Sequence, residues 1–122
     1  MNTLAVVITT PPYSPLTVSA VSYVEAALES GIELIGVFFY QDGAMHANDQ
    51  INIASDEYQA IQHWQRLHKR YEIPLHVCAT AAEKRGISLH ESTDEVVNES
   101  FIVSGLGELV ELASKASRLV QF

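Results

Sequence analysis

The stretch that decides the fold is Ile32-Glu33-Leu34-Ile35-Gly36-Val37-Phe38-Phe39-Tyr40, a nearly continuous apolar run of strand length. An earlier run, Leu4 to Ile8, is apolar throughout. Strands that are buried on both faces lack the alternation of polar and apolar residues seen in half-exposed strands. Both runs are therefore predicted to be inner strands of a sheet that is covered on its two faces.

Helix signals lie between and after these strands. Ser14 followed by Pro15 is typical of an N-cap and a first helical residue, and Gly31 is typical of the end of that helix. Ser55 is predicted to cap the start of a long second helix, after a polar loop over residues 41–54. The acidic residues at positions 56 and 57 would then lie in its first turn, where the helix dipole favours them.

The rest of the chain continues the alternation of strands and helices. We predict a strand Leu75–Ala79, a short helix Thr80–Arg85, a helix from Ser104-Gly105 to about Lys115, and a last strand Arg118–Phe122. Residues 101–103 fit a short strand or the approach to a helix, and residues 87–100 are expected to form a polar excursion on the surface. The pattern predicts an α/β fold of three layers, flavodoxin-like, with a parallel sheet of about five strands and helices on both faces. The length of 122 residues fits a single domain, 1–122.

Charge restricts the possible partners. The chain carries 7 basic and 15 acidic residues, a net charge of −8, and its first 65 residues contain no Lys or Arg. Nucleic-acid phosphates and anionic lipids need positive surface, so neither direct nucleic-acid binding nor membrane binding is expected. The N-terminus lacks the basic region of a signal peptide, and no apolar run approaches the ~18 residues of a membrane span. We expect a cytoplasmic protein.

The single cysteine, Cys78, lies at the end of the predicted third strand and directly before a helix. Ligand sites of parallel sheets lie at the carboxyl ends of the strands, which here bring together residues 9–13, 40–43 and 78–80. Backbone N–H groups of a following helix would stabilise a thiolate at Cys78. A cysteine in a strand is also often an inert core residue, and the sequence leaves both interpretations open.

No other constellation of residues indicates a reaction. His76 lies two residues before Cys78, roughly 6–7 Å along the strand, which favours a strand residue with its own polar partner over a base for the thiol. His63 and His68 lack the spacing of a metal-binding pair, and His46 and His90 are expected to be solvated. One cysteine excludes an internal disulfide, and the chain has no phosphate-binding loop. We expect no metal and no cofactor.

Several segments, taken in order around the one cysteine, resemble the DsrE/TusD-like sulfurtransferases, and most closely the TusD branch of that family. They are Val37–Tyr40 with Asp42-Gly43 and Ala47-Asn48; Ser55–Glu57; Trp64 and Leu67; Cys78-Ala79 through Ala81-Ala82 to Arg85-Gly86; Ser104–Gly107; and Arg118 with Val120–Phe122. The resemblance covers nearly the whole chain and implies a DsrE-like fold.

What the resemblance implies is a persulfide carrier that accepts sulfane sulfur on Cys78. The donor would be a TusA-like protein and the acceptor a TusE/DsrC-like protein, within a heterohexamer that also contains TusB-like and TusC-like subunits. The sulfur would serve 2-thiolation of the tRNA wobble uridine; alternatives are a DsrE-type subunit of sulfur oxidation and a non-catalytic partner-binding subunit with an inert Cys78. Residues expected to line the pocket or to support the thiolate, from their places at the sheet edge, are Tyr13, Tyr40, Asp42, Ala79, Thr80 and Arg85.

Overall fold

The computed structural model describes residues 2–87 and 98–122. In this part of the chain five parallel strands form one sheet in the order β4-β3-β2-β1-β5. The strands are β1 (Thr3–Ile8), β2 (Glu33–Phe39), β3 (Leu75–Cys78), β4 (Ile102–Ser104) and β5 (Arg118–Gln121). The predicted parallel sheet of about five strands is confirmed, and residues 102–104 prove to be a strand.

The helices are α1 (Pro15–Glu29), α2 (Ala60–Tyr71), α3 (Ala79–Lys84) and α4 (Leu106–Lys115), with a 3₁₀ helix at Gln41–Ala47. Helix α1 begins where the sequence predicts, because the Leu16 N–H donates to the Ser14 hydroxyl over 3.2 Å and proline occupies the first helical position. It ends at Glu29, two residues before Gly31, whose φ of +84° is the left-handed conformation that glycine adopts without strain.

The helices cover both faces of the sheet because of the strand order. The chain runs from β1 through β4 in one direction and then returns to β5 on the other side of β1. With right-handed crossovers, a return in the opposite direction places its helix on the opposite face. Helices α1 and α2 pack against each other, whereas α4 packs on β1 and β2. Gly36 of β2 makes room for α4, since a Cβ there would lie 2.9 Å from Leu112 Cδ2.

The predicted start of the second helix is wrong by four residues, since the N-cap residue of α2 is Gln59 and not Ser55. The side-chain amide of Gln59 donates to the carbonyl oxygens of Ile53 and Ala54, over 3.1 and 2.8 Å. These bonds hold residues 54–58 in a turn ahead of the helix. The acidic residues at positions 56 and 57 therefore lie outside its first turn and do not act on its dipole.

The predicted polar loop over residues 41–54 is also corrected, because its first half is the 3₁₀ helix. This helix presses on the end of β1: a Cβ on Gly43 would lie 1.9 Å from the Ile8 carbonyl oxygen. Only glycine allows such an approach. The expected surface excursion falls mostly on residues 88–97, which, with His90, lie outside the described residues. No helix in the described ranges is long and apolar enough to cross a membrane.

Candidate functional site

Cys78 is the last residue of β3 and the N-cap residue of α3. Its backbone is extended, with φ −66° and ψ 120°, so the chain turns directly from strand to helix at the thiol. The residue is only 1% exposed, and it is followed by half-buried Ala79 and exposed Thr80. The buried thiol thus lies at the carboxyl edge of the sheet. A reaction partner could reach its sulfur only if a neighbouring group moved away.

A cleft of about 300 Å³ opens beside the first turns of α3. Its lining comes from three places in the chain: the end of β2, helix α3 and the start of α4. The residues are Tyr40, Gln41, Thr80, Ala81, Lys84, Arg85 and Leu106. Three of the predicted site residues, Tyr40, Thr80 and Arg85, are therefore brought together here.

Arg85 links this cleft to the 3₁₀ helix. Its Nε and Nη2 lie 3.0 and 2.9 Å from Oδ1 of Asp42, and its Nη1 donates to the Ala81 carbonyl over 3.0 Å. The guanidinium thus bonds both to the loop after β2 and to the helix that follows Cys78. Asp42, a fourth predicted residue, acts on the cleft through this ion pair.

Two predicted residues neither line the cleft nor pair with a residue that lines it: Ala79, the half-buried first residue of α3 next to Cys78, and Tyr13. The Tyr13 side chain is 64% exposed, and the phenol contacts the Met45 sulfur at 4.0 Å. Tyr13 does not belong to the lining of the cleft beside α3. Position at the same sheet edge was not enough to bring it to the cleft, because the loop after β1 carries the ring outward.

His76 has its own partners, as the sequence predicts. Its Nδ1 lies 2.8 Å from the Ser104 hydroxyl, its Nε2 lies 3.7 Å from a Glu108 oxygen, and its ring stacks on Phe38. Burial lowers the pKa of His76, and the nearby Glu108 carboxylate opposes that shift. These contacts hold the ring to β4 and α4, so the interpretation as a strand residue with a polar partner is confirmed.

His46 is not solvated, which corrects the prediction for this residue. It is fully buried in the 3₁₀ helix, and its Nε2 lies 3.1 Å from the Thr10 carbonyl oxygen. Burial lowers its pKa from 6.5 to about 3, against the opposing effect of that hydrogen bond. The ring is therefore neutral near pH 7. The described residues contain no group of three or more His, Cys, Asp or Glu side chains arranged to hold a metal ion.

Comparison with known proteins identifies the family of the chain. The model of the DsrE/DsrF-like family matches residues 2–122. The chain belongs to this family. Sulfurtransferase TusD of Klebsiella pneumoniae is 35% identical to it over 125 residues, with 97% of this chain and 98% of that protein covered.

Other relatives of this DsrE/DsrF-like protein carry related names. A TusD homolog of Pasteurella multocida is 40% identical over 100 residues, 79% of each chain, and TusD of Sodalis glossinidius is 40% identical over 110 residues, 85% of each chain. These similarities confirm the prediction of a TusD-like sulfurtransferase. The crystal structure of the ychN protein from E. coli superimposes with a TM-score of 0.80 over 100% of both chains at 20% identity, which supports the fold.

Four residues that line the cleft of this family member were not predicted as site residues: Gln41, Ala81, Lys84 and Leu106. Gln41 adopts a left-handed conformation, φ 52°, directly after β2, a feature that no local pattern announces. Leu106 reaches the cleft because β4 pairs beside β3, a contact between distant parts of the chain. Lys84 had a usable signal, since it is the last residue of α3 and lies next to Arg85, the C-cap residue.

Proposed function

We propose that this protein is a persulfide carrier and that Cys78 is the residue that carries the sulfur. The observation on which the proposal depends is the position of Cys78, between the end of β3 and the first turn of α3. The cleft is lined by Thr80, two residues further along the chain, and not by Cys78 itself. The similarity to TusD sulfurtransferases supports the same chemistry. A sulfurtransferase needs a nucleophile for sulfur, and the chain has one thiol.

The proposed reaction is thiol exchange in two steps. The Cys78 thiolate attacks the outer sulfur of a donor persulfide; a new S–S bond forms at Cys78, the donor's S–S bond breaks, and the donor leaves as a thiolate. An acceptor thiolate then attacks the outer sulfur of Cys78–S–SH, and the Cys78 thiolate is released. No electrons are gained or lost overall, so the reaction needs no oxidant or cofactor.

The residues around Cys78 have distinct roles in this proposal. Backbone N–H groups in the first turn of α3 stabilise the thiolate and the persulfide anion. Arg85 adds positive charge, and Asp42 holds its guanidinium in place through the ion pair. Tyr40 and Thr80 shape the cleft that receives the incoming sulfur. Because Cys78 is 1% exposed, docking of the donor has to displace part of this lining.

The partners we propose are a TusA-like donor, a TusE/DsrC-like acceptor, and TusB-like and TusC-like subunits in a heterohexamer in the cytoplasm. The sulfur then serves 2-thiolation of the tRNA wobble uridine, with sulfur oxidation as the alternative pathway. A chain without Lys or Arg in its first 65 residues leaves RNA to another protein. Native mass spectrometry of the co-expressed subunits tests the assembly, and a tRNA gel-shift assay tests the absence of direct RNA binding.

A second candidate function follows from the burial of the thiol. A non-catalytic subunit would keep Cys78 as a small core residue, and an exposed fraction of 1% is what such a residue has. The two functions differ in one measurable property. A carrier acquires sulfur on Cys78 from a persulfide donor, whereas an inert core cysteine does not.

The test is intact-mass spectrometry after incubation with glutathione persulfide. We expect one added sulfur atom on the native chain and none on Cys78→Ser. A relocated thiol, Cys78→Ser combined with Ala113→Cys at an exposed position of α4, is the matched control. If the relocated thiol gains sulfur as fast as Cys78, the site adds nothing to the reaction and the carrier proposal is wrong.

A further inference from the structure

Three buried side-chain polar atoms have no hydrogen-bond partner among the described residues: Thr10 Oγ1, His46 Nδ1 and Trp64 Nε1. His46 and Trp64 are both fully buried, and their rings are neighbours, with centroids 6.3 Å apart. Buried polar atoms are almost always hydrogen-bonded to protein or to ordered water. Two such atoms on adjacent rings therefore indicate a partner that is shared between them.

The hydrogen-bonding capacities of the two rings are complementary. The Thr10 carbonyl only accepts, so the His46 Nε2 that faces it at 3.1 Å carries the proton. The ring is neutral near pH 7, which leaves Nδ1 as an acceptor. The indole Nε1–H of Trp64 is a donor only. A single water molecule satisfies both atoms by accepting from Trp64 and donating to His46.

His46 also lies at the junction of three segments around the sheet edge. It belongs to the 3₁₀ helix, bonds to the loop after β1 through Thr10, and contacts α2 through Trp64. The same 3₁₀ helix carries Asp42, whose carboxylate holds Arg85 beside the cleft. Loss of the imidazole would free a segment that orients the charged side of the cleft.

We propose that His46 is a positioning residue for the transfer site: it is held between the Thr10 carbonyl and an internal water shared with Trp64, and it fixes the 3₁₀ helix that orients Asp42 toward Arg85. This role rests on the proposed persulfide transfer at Cys78. The water is a structural ligand of the fold, and His46 acts on the cleft only through Asp42.

The water is tested by NMR on the native protein labelled with ¹⁵N. We expect the His46 Nε2–H tautomer throughout pH 5 to 8 and a magnetisation-transfer cross-peak between the Trp64 indole proton and a long-lived water. A His46 ring protonated on Nδ1, or a Trp64 indole without a water cross-peak, would overturn the proposed site. This measurement does not depend on sulfur transfer.

The positioning role is tested on two variants of the whole chain. His46→Phe keeps a ring but loses both nitrogens, whereas His46→Gln keeps an amide donor for the Thr10 carbonyl. We expect the rate of sulfur transfer from glutathione persulfide to Cys78 to fall on the order of tenfold in His46→Phe and to recover in His46→Gln. His63→Phe on α2, which changes a ring away from this cluster, is the matched control with an unchanged rate.

A double-mutant cycle decides whether the effect passes through Asp42. If it does, the variant that combines His46→Phe with Asp42→Asn transfers sulfur no more slowly than the slower of the two single variants. If the two substitutions instead lower the rate independently, so that their fold-losses multiply, the positioning role is overturned. If His46→Phe fails to fold, the cycle is run with His46→Asn, whose shorter amide does not span the distance to Thr10. A native protein that accepts no sulfur refutes the proposed function instead, and the NMR result still decides the water site.

Discussion

The two faces of the sheet are covered in different ways. The first, which we call the aromatic face, is covered by α1 and α2 and contains Phe39 of β2, Trp64 of α2 and Phe101. The Phe39 ring lies 5.4 Å from that of Trp64 and 5.0 Å from that of Phe101, and all three residues are buried. The second, the α4 face, buries Leu112 but leaves Leu106 47% and Val110 67% exposed.

The two faces therefore differ in what they contribute: the aromatic face stabilises the fold, and the α4 face contributes to the cleft. The aromatic face holds the internal polar groups His46 and Trp64 in a closed environment and fixes the loops at the sheet edge. The α4 face supplies Leu106 to the cleft beside α3 and keeps apolar surface exposed. A closed face stabilises the fold, whereas the exposed apolar face is where we expect partner proteins.

The largest effect on stability is expected on the aromatic face. Trp64→Ala removes a fully buried ring that packs edge-on against Phe39, and it should lower the free energy of unfolding by about 3–5 kcal/mol. Urea unfolding followed by circular dichroism measures this loss. Leu106→Ala on the α4 face is the matched control, and an equal loss there would contradict the asymmetry between the faces.

A smaller, pH-dependent effect is expected from the same face. Burial lowers the pKa of His46 from 6.5 to about 3 in the folded protein, and it also lowers the pKa of His76, which lies against α4 on the other face. Below pH 6.5 the unfolded chain binds protons that the folded chain does not, so the stability present above pH 6.5 falls as the pH drops toward 3. For His46 alone the loss is about 1.4 kcal/mol per pH unit, or roughly 2 kcal/mol between pH 6.5 and 5.

Urea unfolding at pH 5 and pH 7 checks this dependence. His46→Gln has no titrating ring at this position, and its stability should change less between the two pH values. An equal change in the unfolding free energy of His46→Gln and of the native chain between the two pH values would show that the His46 ring binds a proton in the folded protein. The aromatic face would then not be closed to solvent.

A modest effect on stability is expected from the ion pair between Asp42 and Arg85 at the edge of the sheet. Asp42→Asn breaks an ion pair whose carboxylate side chain is 57% exposed, and such pairs contribute about 0–1 kcal/mol. We expect a loss within that range, smaller in high salt, together with a clear loss in the rate of sulfur transfer. Glu111→Gln, which breaks the exposed pair with Lys115 on α4, should change neither stability nor rate by a comparable amount.

The smallest effect is expected at Val110 on the α4 face. Because its side chain is 67% exposed, Val110→Ser should change the unfolding free energy by no more than about 0.5 kcal/mol. Urea unfolding of the isolated chain measures this. A loss above 2 kcal/mol would mean that this face is as tightly packed as the other.

Local signals in the sequence predict much of the fold. The apolar runs of β1 and β2, and the start of α1 at Ser14 and Pro15, depend on neighbouring residues and were therefore predicted. The start of α2 was missed because the Gln59 side chain bonds to carbonyls in the preceding turn. The burial of His46 depends on the Thr10 carbonyl, 36 positions away, which no local pattern contains.

The candidate site likewise combines features that local sequence signals predict with features that depend on contacts between distant parts of the chain. The place of Cys78 at a strand end follows from a local change from strand to helix pattern, and the structure puts it there. The contact of Asp42 with Arg85 and the arrival of Leu106 at the cleft need the order of β2, β3 and β4 in the sheet. That order is set by the packing of the whole chain.

The central claim, that Cys78 carries sulfur, is tested most directly by intact-mass spectrometry of the native chain after incubation with glutathione persulfide. We expect one added sulfur atom, its absence in Cys78→Ser, and its loss when a thiol acceptor is then supplied. No added sulfur on the native chain, or an adduct that Cys78→Ser also gains, would mean that Cys78 does not carry sulfur.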